Sequence, residues 1–246
     1  MRLRCRLFTT ILLLMTVSVS SYAEVRIKSL SALEGSQQSF RLISEDLGSA
    51  LSYRSLAPAE NLGLVGFDLG VQLSASEIKN TDILDDIVED GDMLSILPIP
   101  RLYAQKGLPF GVDIGATYTA IPYSNIKMIG AEVKYTFLEG NLLLPSLAIR
   151  GNYATMLGVD VLDMDAKGLE FSVSKGFANL TPYAGLGRVW INSTPTEFEV
   201  ELKPEEASLG KYFAGVNINF LLFDLALEAD MIGENTTYSG KLGFRF

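Results

Sequence analysis

Apolar and polar residues alternate with a period of two along most of the chain after residue 62. In one such segment, Val112, Ile114 and Ala116 are interleaved with Asp113 and Gly115. This alternation is typical of β-strands that have one apolar and one polar face. The pattern predicts ten strands, at residues 62–76, 98–106, 110–121, 126–138, 145–157, 167–177, 182–193, 209–222, 223–232 and 237–246.

The lengths of the predicted strands and of their connections favour a membrane barrel. Strands of about 9–15 residues are long enough to cross a bilayer when tilted. Every second connection is longer than its neighbours, with the longest at residues 77–97, 158–166 and 194–208. A soluble β-sandwich would also alternate, but here the apolar faces carry almost no charge. We therefore predict an all-β fold, a transmembrane antiparallel up-and-down β-barrel of about ten strands with a short N-terminal helix.

The first 23 residues have the pattern of a secretory signal peptide. Arg2, Arg4 and Arg6 precede an apolar stretch, and residues 21–23 form a small-x-small cleavage site. The apolar stretch is too short for a comfortable transmembrane helix, which disfavours the alternative of an uncleaved anchor. Cleavage would also remove Cys5, so that the exported chain would contain no thiol.

A short amphipathic helix is predicted between the leader and the barrel. Phe40, Ile43, Leu47 and Leu51 recur at spacings of three and four residues. We expect this helix to cap the periplasmic mouth, to enter the lumen, or to pack loosely below the barrel. The domain organisation is then a signal peptide (1–23), a periplasmic N-terminal segment (24–61) and a barrel (62–246).

The last strand carries a pattern of alternating apolar residues that ends on an aromatic side chain. Its members are Tyr238, Leu242, Phe244 and Phe246. Together with the leader, this pattern resembles that of bacterial outer-membrane β-barrel proteins. The resemblance implies localisation in the outer membrane and recognition of these four residues by the barrel-assembly machinery. It also implies contact with outer-membrane lipid and lipopolysaccharide.

The polar faces of the predicted strands place many charges in the lumen. Because charges removed from water must be paired, we expect a lumen charge network. Its expected members are Asp68, Arg101, Asp113, Glu132, Lys134, Arg150, Glu170, Arg188, Glu228, Asp230, Lys241 and Arg245. Two functions are open: an envelope-structural or surface-interaction barrel with a filled lumen, or a narrow channel or transporter for small solutes.

Composition excludes several other functions. The chain has no histidine, whereas the known outer-membrane enzymes resemble one another in using one, so we expect no catalytic residues and no enzyme. We also expect no cofactor. A net charge of −9 disfavours nucleic-acid binding. The longest connections are acidic, which indicates solvated loops; divalent-cation binding there is the alternative, and we assign no metal ligands.

Overall fold

Ten antiparallel strands close into a barrel in the computed structural model, which describes residues 26–27, 29–89, 95–197 and 200–246. The barrel closes where β12 pairs with β2, which confirms the predicted fold. The elements are β1 (Arg26–Ile27), α1 (Gln37–Leu51), β2 (Phe67–Glu77), α2 (Thr81–Asp85), β3 (Val88–Glu89), β4 (Ile96–Gly107), β5 (Val112–Ala120), β6 (Lys127–Leu138), β7 (Ser146–Leu157), β8 (Leu162–Ser174), β9 (Leu180–Pro195), β10 (Glu205–Phe220), β11 (Phe223–Ile232) and β12 (Asn235–Arg245). The short strands β1 and β3 pair with each other outside the barrel. The predicted signal peptide lies outside the described residues.

The ten predicted strands correspond one to one with the ten strands of the barrel. The first begins at Phe67 and not at residue 62, because Gly63 has a positive φ of 75° and starts a turn. In that turn the N–H of Gly66 donates to the carbonyl of Gly63 at 3.0 Å. Strand β8 begins earlier than predicted, since Leu162 pairs with Pro195 beyond the alternating segment.

Apolar side chains cover the outside of the barrel. On β2, Leu69, Val71 and Leu73 are exposed on the outer surface, while Asp68 and Gln72 are buried inside. The same division recurs on the other strands. Its exposed members include Leu102, Ile114, Tyr118, Ile129, Val133, Ile149, Leu169, Phe171, Leu186, Leu225, Leu227 and Leu242. A continuous apolar outer surface of this kind faces the hydrocarbon of a bilayer.

The two longest connections of the barrel, between β2 and β4 and between β9 and β10, lie at the same end, whereas the predicted long link at 158–166 is only residues 158–161. We call the end with the turns β4–β5, β6–β7, β8–β9 and β10–β11 the inner end, and the opposite end the outer end. The backbone of Phe246 bonds that of Phe67 at the inner end, with N–O distances of 2.8 and 3.0 Å. In outer-membrane barrels, short turns lie on the periplasmic side and longer loops on the extracellular side. We therefore expect the outer end to face the cell exterior.

The helix α1 forms as the apolar spacing predicts, and a serine begins it. The side chain of Ser36 accepts a hydrogen bond from the N–H of Ser39, which satisfies one of the free N–H groups of the first turn. Phe40, Ile43 and Leu47 are fully buried on one face of the helix. No helix in the described part of the chain is both long and apolar enough to cross a membrane.

The structure places α1 at the outer end of the barrel interior. Entry into the lumen was one of the three expected positions, and the helix takes it because its apolar partners lie on the barrel wall. We call the apolar cluster that it forms there the outer chamber. Its members are Phe40, Ile43, Leu47 and Leu51 of α1 with Leu97, Ile99, Met128, Met156, Met164, Val189, Ile191 and Ile232 of the wall.

Candidate functional site

Residues 52–62, which we call the lumen segment, run through the barrel interior from the end of α1 to the inner end. Side chains of the wall bond the backbone of this segment. Oγ1 of Thr136 donates to the carbonyl of Ala59 at 2.7 Å, and the N–H of Ala59 donates to Oγ of Ser174 at 3.1 Å. Because a buried backbone group without a partner costs free energy, these bonds fix the course of the segment.

Two arginines meet the carboxyl end of α1. Nε of Arg54 lies 2.7 Å from Oδ1 of Asp230, and its Nη2 donates to Oγ1 of Thr237 at 2.9 Å. Nη1 of Arg54 donates to the carbonyl of Ala50 at 2.9 Å, and Nη2 of Arg101 donates to the same oxygen at 3.2 Å. Both cations thereby satisfy helix carbonyls that lack a partner within the helix, at the negative end of its dipole.

Four wall residues form a continuous ion-pair chain beside the lumen segment. Nε of Arg150 lies 2.9 Å from Oε2 of Glu132, and Nη1 of Arg150 lies 3.0 Å from Oε2 of Glu170. Nζ of Lys211 lies 2.7 Å from the other oxygen of Glu170. The side-chain amide of Gln105 donates to Oε1 of Glu132 at 2.6 Å. All of these groups are buried, and each charge has an opposite charge in contact.

A second ion-pair cluster lies closer to the inner end. Nζ of Lys241 contacts Oδ2 of Asp68 at 2.8 Å and Oδ1 of Asp224 at 2.6 Å. The hydroxyl of Tyr103 donates to Oδ1 of Asp68 at 2.6 Å. We call the two clusters and their partners the inner chamber. Its members are Asp68, Tyr103, Gln105, Asp113, Glu132, Lys134, Arg150, Glu170, Lys211, Asp224 and Lys241.

The structure brings most of the sequence-predicted lumen residues together in the barrel. Ten of them are buried inside: Asp68, Arg101, Asp113, Glu132, Lys134, Arg150, Glu170, Glu228, Asp230 and Lys241. Arg245 lies at the inner rim, with Nη1 3.7 Å from Oδ2 of Asp224. The functional role of this set stays a prediction.

Arg188 is the exception, because it lies on the outer surface and not in the lumen. Its Nη1 donates to the side chain of Ser208 at 3.2 Å in an exposed position. The expected orientation of β9 was therefore wrong: Tyr183, Val189 and Ile191 point inward. The inward face of β9 is apolar at the outer end because α1 packs against it, so apolar character there does not indicate lipid contact.

Sequence reasoning missed several interior residues, among them Arg54, Tyr103 and Lys211. Arg54 follows the predicted helix directly, but the segment that contains it has no strand pattern to show which way a side chain points. Lys211 and Tyr103 are each an even number of residues from predicted inward positions, Asn217 and Arg101. Extending the period of two along β10 and β4 would have found both.

The residues of the predicted assembly signal face outward on β12 and just after it. Tyr238, Leu242, Phe244 and Phe246 are all exposed to the lipid side. Phe244 contacts Phe223 of the neighbouring strand, with ring centroids 5.1 Å apart. Recognition of these residues by an assembly machinery stays a prediction.

The acidic connections lie at the outer end. Among the residues that the structure describes, no group of three or more acidic side chains is placed to hold a metal ion. Asp90, Asp92 and Glu199, which the sequence assigns to these connections, lie outside the described residues.

Comparison with known proteins gives similarity to solved structures alone. No protein-family model matches the chain, and no curated protein matches it significantly in sequence. Ail, the attachment invasion locus protein of Yersinia pestis, is 12% identical with a TM-score of 0.31, covering 74% of this chain and 97% of Ail. KdgM porin is 7% identical with a TM-score of 0.37, covering 74% and 99%. OprG from Pseudomonas aeruginosa is 10% identical with a TM-score of 0.32, covering 77% and 99%.

The surface of the barrel determines its environment. Strands cross a bilayer only in a closed barrel, because any free edge would leave backbone groups unpaired in hydrocarbon. Here the strand order is closed and the outward face is apolar. A barrel with such a surface is stable in lipid and would aggregate in water. The chain therefore forms a ten-stranded β-barrel of the transmembrane type.

Proposed function

We propose that this protein is a non-conducting outer-membrane barrel with an envelope-structural or surface-interaction role. The observation that carries the proposal is the lumen segment, residues 52–62, which occupies the interior along its length. Arg150 and Lys134 of the wall donate to its carbonyls, at 3.3 Å to Ala57 and at 2.6 Å to Glu60. A solute that crossed the barrel would have to displace this segment and break its bonds.

The outer chamber supports the same proposal. The helix α1 buries its apolar face against the wall, and Gly48 brings its backbone close to Ile191. A β-carbon added at Gly48 would overlap the Ile191 side chain, so helix and wall are in direct contact there. This apolar contact fills the space between α1 and β9 at the outer end.

The chemistry of the interior supports a non-enzymatic role. The inner-chamber carboxylates of Asp68, Asp113, Glu132, Glu170 and Asp224 are each in an ion pair, and the chain contains no histidine. A general acid or base must reach a substrate proton. Carboxylates held by fixed cations and covered by the lumen segment are unsuited to that task.

We further infer that the partners of the barrel are outer-membrane lipid, lipopolysaccharide and the barrel-assembly machinery. The exposed apolar residues of the outer wall support the lipid contact. The exposed aromatic residues at the end of β12 support recognition of the last strand during assembly.

Conductance in planar bilayers tests the proposal. We expect the purified protein to show no stable channel steps. A variant lacking residues 37–59 should conduct if it retains heat-modifiable migration on gels, because its lumen has lost both the helix and most of the lumen segment.

A pair of arginine variants controls this measurement. Arg150→Ala changes the wall of the inner chamber, whereas Arg188→Ala removes an arginine from the outer surface. Reproducible steps in the unaltered protein that shift with Arg150→Ala but not with Arg188→Ala would contradict the proposal. They would support the alternative of a narrow channel for small solutes.

A further inference from the structure

The direction in which the chain runs through the barrel determines where its N-terminal part lies. Along the lumen segment, successive residues bond wall groups that lie ever closer to the inner end. Arg54 contacts Asp230 near the outer end of β11, and the N–H of Leu62 donates to Oδ1 of Asp113 at 3.1 Å, at the inner end. The chain therefore enters the barrel interior from the outer end and leaves it at the inner end.

Residues before α1 bond the connections at the outer end. The N–H of Leu30 donates to the carboxylate of Glu197 at 2.6 Å, in the connection after β9. The carbonyl of Ile27 accepts a hydrogen bond from the side chain of Asn125 at 3.0 Å, in the connection after β5. These two contacts, with different connections, place the described residues before α1 outside the barrel at the same end.

The helix α1 is also fixed to the outer connections. The carboxylate of Asp46 accepts from the N–H of Asn80 at 2.8 Å and from the side chain of Asn235 at 2.9 Å. Together with the outer chamber and the two arginines at the end of α1, these bonds hold the helix at the outer end. Sliding of the chain towards the inner end would break all of them.

We propose that the barrel displays its own N-terminal segment on the outside of the cell. The displayed segment consists of the described residues before α1, which are 26–27 and 29–36. The barrel then serves as an anchor that carries a polypeptide through its own lumen and presents the N-terminal end at the surface. This inference goes beyond the proposed function, since it holds whether or not the lumen conducts.

Single-cysteine labelling of intact cells tests the display. The only cysteine of the chain, Cys5, lies in the predicted leader, so a new cysteine would be the only thiol of the exported protein. Ala32 is exposed before α1, Glu201 is exposed in the connection after β9, and Leu142 is 98% exposed in a turn at the inner end. The three variants Ala32→Cys, Glu201→Cys and Leu142→Cys are treated with a membrane-impermeant maleimide, before and after permeabilisation of the outer membrane.

We expect Ala32→Cys and Glu201→Cys to be labelled on intact cells, and Leu142→Cys only after permeabilisation. Labelling of Ala32→Cys only after permeabilisation overturns the proposal, whichever way Glu201→Cys behaves. Heat-modifiable migration shows that each variant has folded. Should Ala32→Cys not fold, Ser31→Cys takes its place, because Ser31 is exposed in the same segment.

Discussion

The outer and inner chambers lie within one barrel, but apolar packing stabilises the chain in the outer chamber and polar contacts stabilise it in the inner chamber. The outer chamber holds a helix whose apolar face meets methionine, leucine and isoleucine side chains of the wall. The inner chamber holds an extended chain whose backbone is bonded by charged and hydroxyl side chains. A helix satisfies its own backbone groups and can therefore enter apolar surroundings, whereas an extended chain needs partners from the wall.

The difference explains why the buried ion pairs of the barrel wall are concentrated in the inner chamber. The cations Lys134, Arg150 and Lys211 of the inner chamber serve two purposes, since they pair with carboxylates and donate to carbonyls of the lumen segment. Nζ of Lys211, for example, contacts Glu170 at 2.7 Å and the carbonyl of Tyr53 at 3.3 Å. Next to α1 such a charge would have no carbonyl to bind. The arginines Arg54 and Arg101 lie at the boundary, where the helix ends and its carbonyls become available.

The largest effect is expected from Arg54→Ala, which removes the boundary cation. Asp230 would remain buried without its partner, and the carbonyl of Ser49, which Arg54 bonds at 3.1 Å, would lose its donor. Breaking a buried ion pair from one side costs about 3–5 kcal/mol. We expect the free energy of unfolding, measured by urea titration in lipid vesicles, to fall by about this amount.

A double variant distinguishes the cost of losing the ion pair from the cost of leaving Asp230 buried and unpaired. In Arg54→Met with Asp230→Leu, both charges are absent, and apolar replacement of a buried pair is often close to neutral. We therefore expect the double variant to be more stable than Arg54→Ala. If the double variant were less stable than Arg54→Ala, the lost free energy of unfolding would come from the helix carbonyls without a donor and not from the unpaired Asp230.

The two chambers also differ in how far the sequence predicts them. The inner chamber follows from the period of two, because polar residues on β2, β6 and β11 have no other place than the lumen. The outer chamber does not follow, because its wall residues are apolar and look like lipid-facing ones. For this reason Arg188 was predicted to face the lumen, and the period of two then places its apolar neighbours Val189 and Ile191 on the lipid side. Only the contact with α1, about 140 residues earlier in the chain, reverses that assignment.

The position of α1 itself is a second limit of the sequence. The spacing of Phe40, Ile43 and Leu47 establishes an amphipathic helix, and the structure confirms one. Which apolar surface covers that face depends on the shape of the closed barrel, which is a long-range property. Local pattern therefore predicts the elements and the closed fold, but not what fills the lumen.

An intermediate effect is expected from Gly48→Ala in the outer chamber. A β-carbon at this position would overlap the side chain of Ile191, so the helix or the wall must shift. Overpacking of this kind costs about 1–3 kcal/mol. The replacement of glycine by alanine in a helix gains about 1 kcal/mol. The cost exceeds the gain if the barrel wall is too rigid to move away from the added methyl group. We expect a net loss of stability in the same urea titration.

The matched control is Gly151→Ala on β7, where a β-carbon would meet no atom within 4 Å. We expect this variant to be no less stable than the unaltered protein, and up to about 1 kcal/mol more stable, because alanine loses less conformational entropy in a strand than glycine. A stabilised Gly48→Ala would show that the outer chamber yields to an added methyl group, and that α1 is packed less tightly than the lumen segment.

The smallest effect is expected from Arg41→Ala, at the solvent-exposed side of α1. Nε of Arg41 lies 3.0 Å from Oε1 of Glu45, one helical turn away, with 55% of the Arg41 side chain exposed. Exposed pairs of this spacing contribute about 0.3–0.5 kcal/mol because water screens them. Arg41 and Arg54 thus both pair with a carboxylate. The difference in burial alone predicts a several-fold difference in their contributions to the free energy of unfolding. The free energy of unfolding lost in Arg41→Ala should therefore be much smaller than that lost in Arg54→Ala. Equal losses in the urea titration would show that molecules other than the barrel itself cover the exposed side of α1 in the membrane.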